Sequence, residues 1–173
     1  NLHKLADQKR MVMIERKHTD DHALYGYLVA VSSDLILLRE EYDFQLDGYT
    51  VLGRRDVTRL VRRDVERFHE RIESEEGIAG DKAMPHSIDI TDWRSALSSL
   101  QRAGRNISLE HEPELTYVYL VGKILKVNPS SVIMLGFDPL AKWHDDSTRI
   151  PYSNITRISF DNRYISTLSR YTH

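Results

Sequence analysis

The chain has 173 residues, with 24 Lys and Arg against 26 Asp and Glu, and it has no Cys. The lack of Cys excludes disulfides, thiolate catalysis, iron–sulfur clusters and cysteine-ligated zinc. The near-neutral charge argues against a protein that mainly coats nucleic-acid phosphate. No apolar run reaches the ~20 residues of a membrane span, so no membrane partner is expected. This composition favours a cytoplasmic protein, and it hints at a bacterial source.

The first half of the chain is predicted to form a short helix, five short strands and a second helix. The helix covers residues 2–10, and the strands cover 11–17, 23–32, 35–39, 49–53 and 57–62. A loop is predicted over 40–46, and Asp47-Gly48 is a strong turn signal. The apolar spacing from Val57 to Ile72 leaves two alternatives: a strand to Arg62 followed by a helix over 64–74, or one continuous helix.

The second half follows a similar order. A helix is predicted between a cap at Asp89 or Thr91 and an end at Gly104. Strands are predicted over 106–111, 115–127, 131–137, 147–150 and 155–160, with a loop over 138–146. Asp161-Asn162 indicates a break where the first half has its second helix.

Four blocks of the first half recur in the second half, in the same order and 95 to 98 residues later. Gly26–Val31 lies over Gly122–Val127, and 50–60 lies over 148–158, with the pair Thr58-Arg59 over Thr156-Arg157. The runs 14–15 and 35–38 lie over 109–110 and 132–135. This pattern indicates an internal duplication. The two units are predicted at 1–75 and 87–173, joined by a linker at 76–86 that is rich in Gly and acidic residues.

Each unit, a helix followed by five short strands, resembles the small five-stranded barrels of the Sm-like and Src-homology-three (SH3-like) type. In those folds a single helical turn joins the last two strands, and the segment 150–155 resembles that turn. The resemblance implies a mainly β fold with short helices (α+β), built from two such barrels in tandem. Sm-like units assemble edge to edge, so it also implies a fused dimer or half of a ring.

The RNA-binding motifs of Sm-like proteins are not matched. Those proteins carry an Asp and an Asn after the second strand and an Arg-Gly pair before the last strand. Here Asp34 stands alone, and Arg54-Arg55 or Tyr152-Ser153 occupy the second place. The resemblance therefore does not imply RNA binding.

Two groups of residues are candidates for a binding surface. The Arg-rich stretch 54–71 has seven Arg against four acids, a local charge of +3. It fits either an anion or nucleic-acid surface or a solvated face with internal ion pairs. Tyr25 and Tyr27 alternate along a predicted strand and share one sheet face. They either bind bases or peptide or fill the barrel interior. The candidate binding residues are Arg54, Arg55, Arg59, Arg62, Arg63, Tyr25 and Tyr27.

No motif indicates catalysis, a cofactor or a metal. His18 and His22 flank two acids, and His144-Asp145-Asp146 forms a second polar cluster, but both are typical of solvated turns. The chain contains no Gly-rich phosphate loop and no nucleophile elbow. We expect a noncatalytic binding or assembly module with a protein or peptide partner or self-association. The alternatives are nucleic-acid binding through residues 54–71 and an enzyme with a site between the two halves.

Overall fold

The computed structural model describes residues 1–80 and 87–173. The described residues form four α-helices and ten β-strands. The helices are α1 (Leu2–Asp7), α2 (Asp64–Glu75), α3 (Trp93–Arg102) and α4 (Arg163–Ser169). The strands are β1 (Met11–Arg16), β2 (Asp20–Val31), β3 (Leu35–Tyr42), β4 (Gln45–Gly53), β5 (Arg59–Val61), β6 (Ile107–His111), β7 (Val118–Val127), β8 (Ser131–Gly136), β9 (Thr148–Pro151) and β10 (Arg157–Phe160). Single 3-10 turns occupy Arg54–Asp56, Glu114–Thr116 and Tyr152–Asn154.

All ten strands belong to one antiparallel sheet, in the order β5-β1-β2-β3-β4-β10-β6-β7-β8-β9. The expected mainly β class with short helices is confirmed. The expectation of two separate closed barrels is corrected, because the sheet is continuous and does not close into a barrel. The physical reason is that β4 takes β10 as its neighbour.

The contact between β4 and β10 joins the two halves of the chain. Leu52 lies opposite Arg157 and Tyr49 opposite Phe160 in antiparallel register. The rings of Tyr49 and Phe160 stack, with their centroids 5.4 Å apart. The junction is therefore a hydrogen-bonded part of the sheet that also buries aromatic surface.

The two halves also share a hydrophobic core. The smaller core packs α1 against the first half, through residues such as Val12, Ile14 and Leu38. The larger core packs α3 against the second half. Four buried residues of β3 and β4 also belong to this larger core: Leu35, Leu37, Tyr49 and Val51. The second half therefore completes its core with residues of the first half.

The hairpin between β3 and β4 differs from the prediction. The turn lies at Asp43 and Phe44, both with positive φ, and not at Asp47-Gly48. Gly48, with φ of +76°, lies within β4 where the β3–β4 register shifts. A Cβ there would lie 2.5 Å from the backbone nitrogen of Asn162. The Asp-Gly pair thus marks a β-bulge with a close backbone approach, which requires Gly.

The segments that follow β5 and β10 are both helical. The predicted helix over 64–74 is confirmed by α2, and the alternative of one helix from Val57 is wrong because β5 pairs with β1. The prediction of a break at Asp161-Asn162 missed α4. Asn162 caps this helix, because its side chain accepts a hydrogen bond from the Ile165 amide.

The predicted linker 76–86 is described only to residue 80, and residues 81–86 lie outside the described residues. Ala79 is buried against Met11 and Tyr27, so the start of this segment packs on the first half. Within the described ranges no helix combines the length and the apolar character needed to cross a membrane.

Candidate functional site

The seven Arg of the stretch 54–71 are spread along the chain from the turn that follows β4 to α2. Each of them contacts an acid or a carbonyl oxygen. The partners are Ser32 for Arg54, Asp56 and Ser153 for Arg55, Glu15 for Arg59, Glu70 and Met11 for Arg62, Glu66 for Arg63, Asp64 for Arg67 and Glu75 for Arg71. This geometry favours a face with internal ion pairs over a continuous phosphate-binding surface.

The structure separates the two candidate tyrosines of β2. Tyr27 is fully buried and donates its hydroxyl to Glu73 Oε2 at 2.5 Å. Burial and the carboxylate of Glu73 raise the pKa of Tyr27. Tyr25 keeps a partly exposed side chain. Tyr27 therefore belongs to the interior and is not available to stack on a ligand.

A cleft of about 910 Å³ lies between the two halves. One wall is the β1–β2 turn of the first half, and the other is the segment from β6 to the start of β7. The lining residues are Lys17, His18, Thr19, Asp20, Asp21, His22, Glu110, Glu112, Pro113, Leu115, Tyr117 and Arg157. Sequence analysis named a site between the two halves only as the enzyme alternative and assigned no residues to it, although it singled out His18, His22 and Arg157 separately.

A buried ion pair spans the two halves beside the cleft. Arg16 of β1 is 0% exposed and donates two hydrogen bonds to the carboxylate of Glu112, at 2.5 and 2.8 Å. The hydroxyl of Thr156 donates to the same carboxylate at 2.8 Å. Bidentate geometry and extra hydrogen bonds are what a buried ion pair needs to offset desolvation.

Arg157 is the second cation of this region. Its guanidinium pairs with Glu40 of β3, and it lies 3.9 Å from Glu110 and 4.0 Å from Glu112. Burial alone would lower the pKa of Arg157, but these three carboxylates raise it. Its Nε atom also donates to the Thr50 hydroxyl at 3.1 Å. These contacts therefore keep Arg157 charged and fix the position of its guanidinium.

Carboxylates outnumber guanidinium groups in this cluster. Arg16 and Arg157 face Asp20, Glu40, Glu110 and Glu112, which gives two positive and four negative charges, a net charge of −2 when all are ionised. Burial raises the pKa of Glu40 and of Glu110 even though Arg157 opposes the shift. Burial of Asp20 acts the same way, but hydrogen bonds from His22 outweigh it and lower its pKa. Among the residues that line the cleft itself, four carboxyl groups, those of Asp20, Asp21, Glu110 and Glu112, face two cations, Lys17 and Arg157.

The raised pKa values give a prediction for stability against pH. A carboxyl with a raised folded pKa stabilises the fold fully below its unfolded pKa, and this contribution is lost as pH rises through the folded pKa. We expect the urea midpoint to rise on acidification from neutral pH towards about 4.5, the usual Glu value. Glu110→Gln is expected to flatten this rise. The control is Asp145→Asn, which changes an exposed acid and should keep the full rise in urea midpoint. An equal rise in Glu110→Gln would contradict the assignment.

Exposed apolar and aromatic side chains adjoin the acidic floor of the cleft. Leu115 is 98% exposed, and Tyr117, Tyr119 and Tyr164 are each about half exposed. The hydroxyl of Tyr117 lies 3.4 Å from Glu110 Oε2. Burial, together with the charge of Glu110, raises the pKa of Tyr119 to about 12. Exposed tyrosines beside a cleft are typical of protein-binding surfaces.

The two polar clusters noted in the sequence lie apart. His18 and His22 are at the mouth of the cleft, where His22 Nδ1 lies 3.0 Å from Asp20 Oδ1. His144 and its neighbouring acids line a separate pocket beside Trp143. Among residues 1–80 and 87–173, no group of three His, Asp or Glu is arranged to hold a metal ion.

No protein-family model, curated protein or solved structure matches this chain. The interpretation of the cleft therefore depends on its own residues. One sequence signal pointed to it indirectly, since the repeated Thr-Arg pair contains Thr156 and Arg157, which bind the carboxylates of the floor.

Proposed function

We propose that the chain is a duplication of one five-stranded unit of the Sm-like kind, with its two copies fused edge to edge. The strand order supports this, because adding five to each number in β5-β1-β2-β3-β4 gives β10-β6-β7-β8-β9. Each run of five strands also follows a short helix and is followed by another one.

The repeated Thr-Arg pair supports the same proposal through its hydrogen bonds. Thr58 donates its amide and its hydroxyl to the carbonyl oxygen of Glu15, at 2.9 and 3.0 Å. Thr156 donates its amide to the carbonyl oxygen of Glu110 at 2.9 Å, and its hydroxyl, which donates to Glu112, also lies 3.1 Å from that carbonyl oxygen. The Arg that follows each Thr lies opposite the same Glu in the strand register. Equivalent residues thus perform the same local task in both halves.

The function that the geometry supports best is noncatalytic binding of a basic peptide segment in the cleft between the two copies. The excess of carboxylates in the floor carries this proposal. Uncompensated negative charge costs free energy in a partly buried site, and a Lys or Arg side chain of a ligand would reduce that cost. The exposed Leu115 and Tyr117 would contact the aliphatic part of such a side chain, and the tyrosine ring offers a cation–π contact.

The two alternative functions have less support. The acidic floor would repel phosphate, and the Arg of the stretch 54–71 contact the protein's own acids or carbonyl oxygens. An enzyme site between the halves would use the His and carboxyl groups of the lining for proton transfer, but no motif in the sequence indicates catalysis there. Binding therefore remains the better proposal for this surface.

The experiment measures fluorescence anisotropy with a labelled nonapeptide of alternating Arg and Gly, added to the full chain. We expect saturable binding that weakens as salt increases, because the contact is between charges. Tyr117→Ala and Asp21→Asn, both at exposed positions of the lining, should each reduce the affinity by about threefold to tenfold.

The matched controls are Tyr171→Ala and Asp146→Asn, which change an exposed tyrosine and an exposed acid outside the cleft. Their affinity should equal that of the unchanged chain. A nonapeptide of alternating Glu and Gly should not compete. Equal losses in the control variants, or displacement of the basic peptide by the acidic one, would show that the cleft is not the site.

A further inference from the structure

We propose that the outer edge of β5 accepts an extended acidic segment of another protein as an added strand. This surface is separate from the cleft and takes a ligand of opposite charge. Within the described residues, β5 pairs with β1 on one side, and no strand occupies its other side. Backbone donors and acceptors at such an edge are available to an incoming strand.

The junction inside the chain is a template for this added strand. β10 occupies the place in the second half that β5 occupies in the first, and its outer edge is covered by β4. Arg157, Ile158 and Ser159 lie opposite Leu52, Val51 and Thr50. A strand added to β5 in the same way would lie opposite Arg59, Leu60 and Val61. The strand that is equivalent to β5 in the second half therefore already has an antiparallel neighbour at this edge.

The charge at this edge specifies an acidic occupant. On β10, Arg157 forms an ion pair with Glu40 of the first half, in addition to the ion pair with Glu110 of its own half. On β5, Arg59 pairs with the equivalent of Glu110, which is Glu15, at 3.6 Å, and its side chain is 50% exposed. Glu40 stands on β3, one strand beyond β4, and among the described residues no second carboxylate pairs with Arg59 as Glu40 pairs with Arg157. A carboxylate on an added strand, beside Arg59 across the strand pair, would supply that second partner.

A second copy of this chain fits poorly as the occupant. The free edge that a second copy would offer is β9, which is the equivalent of β4. In β9, Pro151 takes the place of Gly53. The Gly53 amide points at the Thr156 carbonyl oxygen, 3.4 Å away, and Pro has no such donor. Gly136 takes the place of Glu40 in the strand register, so β8 offers no carboxylate. The occupant is therefore an acidic segment from a different protein.

The test uses a labelled peptide of alternating Glu and Val with blocked ends, and it measures anisotropy and the hydrogen exchange of the β5 amides. In an extended peptide the Glu amides point to one edge and the Val amides to the other. We therefore compare a peptide methylated at every Glu nitrogen with one methylated at every Val nitrogen. Strand addition predicts that one methylated peptide loses binding, the other keeps it, and the β5 amides become protected.

Charge reversal gives the second readout. Arg59→Glu should weaken binding by about fivefold or more. Arg170→Glu, at an exposed Arg beyond α4, should bind like the unchanged chain, as should the cleft variant Tyr117→Ala. A peptide of alternating Lys and Val should neither protect the β5 amides nor displace the acidic peptide, because the site proposed for basic peptides is the cleft.

Four results would overturn the proposal. The first is the absence of binding at millimolar peptide. The second is equal binding of both methylated peptides, which would indicate a general anion surface. The third is Arg59-dependent binding of an oligothymidylate that displaces the peptide, which would assign the edge to nucleic acid. The fourth is concentration-dependent self-association that protects β5 and β9 together, which would assign it to a second copy.

Discussion

Replacing Glu112 with Ala is expected to lower the free energy of unfolding by about 3–5 kcal/mol. The change leaves the guanidinium of Arg16, which is fully buried, without the two hydrogen bonds that it donates to this carboxylate. The hydroxyl of Thr156 loses the nearer of its two acceptors as well. Urea denaturation, monitored by tryptophan fluorescence, measures the effect.

The matched variant removes both charges. Arg16→Met combined with Glu112→Leu should be far less destabilising than Glu112→Ala, because no unpaired charge remains in the interior. Lys17→Met serves as the control, since it removes a neighbouring cation whose side chain is mostly exposed. Exposed ion pairs contribute at most about 1 kcal/mol to the free energy of unfolding. If Glu112→Ala lowered that free energy by less than this, the burial of Arg16 would not depend on its pairing with Glu112.

Replacing Gly122 with Ala is expected to destabilise the chain by about 3 kcal/mol or to prevent folding. A Cβ at this position would lie 2.0 Å from the carbonyl oxygen of Leu135 on the neighbouring strand. Gly26→Ala should have the same effect, because its Cβ would lie 2.1 Å from the carbonyl oxygen of Arg39. The backbone would have to move in both cases. Thermal and urea unfolding measure both losses.

Gly104→Ala is the control for these two variants. Its φ is +65°, but a Cβ there meets nothing within 4 Å. Only the left-handed backbone conformation then costs free energy, about 1–2 kcal/mol. If Gly122→Ala were as mild as Gly104→Ala, the close approach of β7 and β8 would not constrain this position. A large difference between Gly26→Ala and Gly122→Ala would argue against equivalent roles in the two halves.

The local structure of this chain could be predicted well where short-range signals agree. The five strands of each half were located because apolar runs alternate with turn residues, and α3 because its apolar residues share one helix face. Sequence analysis misread Asp47-Gly48, because a Gly with positive φ serves a bulge as well as a turn. It also missed α4, because Asp161-Asn162 can end one element or cap the next one.

The candidate site could not be predicted in the same way. The cleft depends on the pairing of β4 with β10, which brings Arg16 next to Glu112 across 96 positions of the chain. Neither residue belongs to a local motif, so no pattern in the sequence marks it. The Arg-rich stretch shows the opposite problem. It is conspicuous in the sequence, but whether each Arg faces solvent or an acid depends on the tertiary structure.

The shared core also orders events during synthesis. A ribosome releases the first half before the second half exists. Until the second half emerges, Leu37 and Val51 of β3 and β4 lack most of the apolar residues of the larger core. The edge of β4 is also open during that interval. The nascent chain therefore passes through a stage in which this apolar surface and the edge of β4 are both uncovered, and β10, the last strand made, covers the edge.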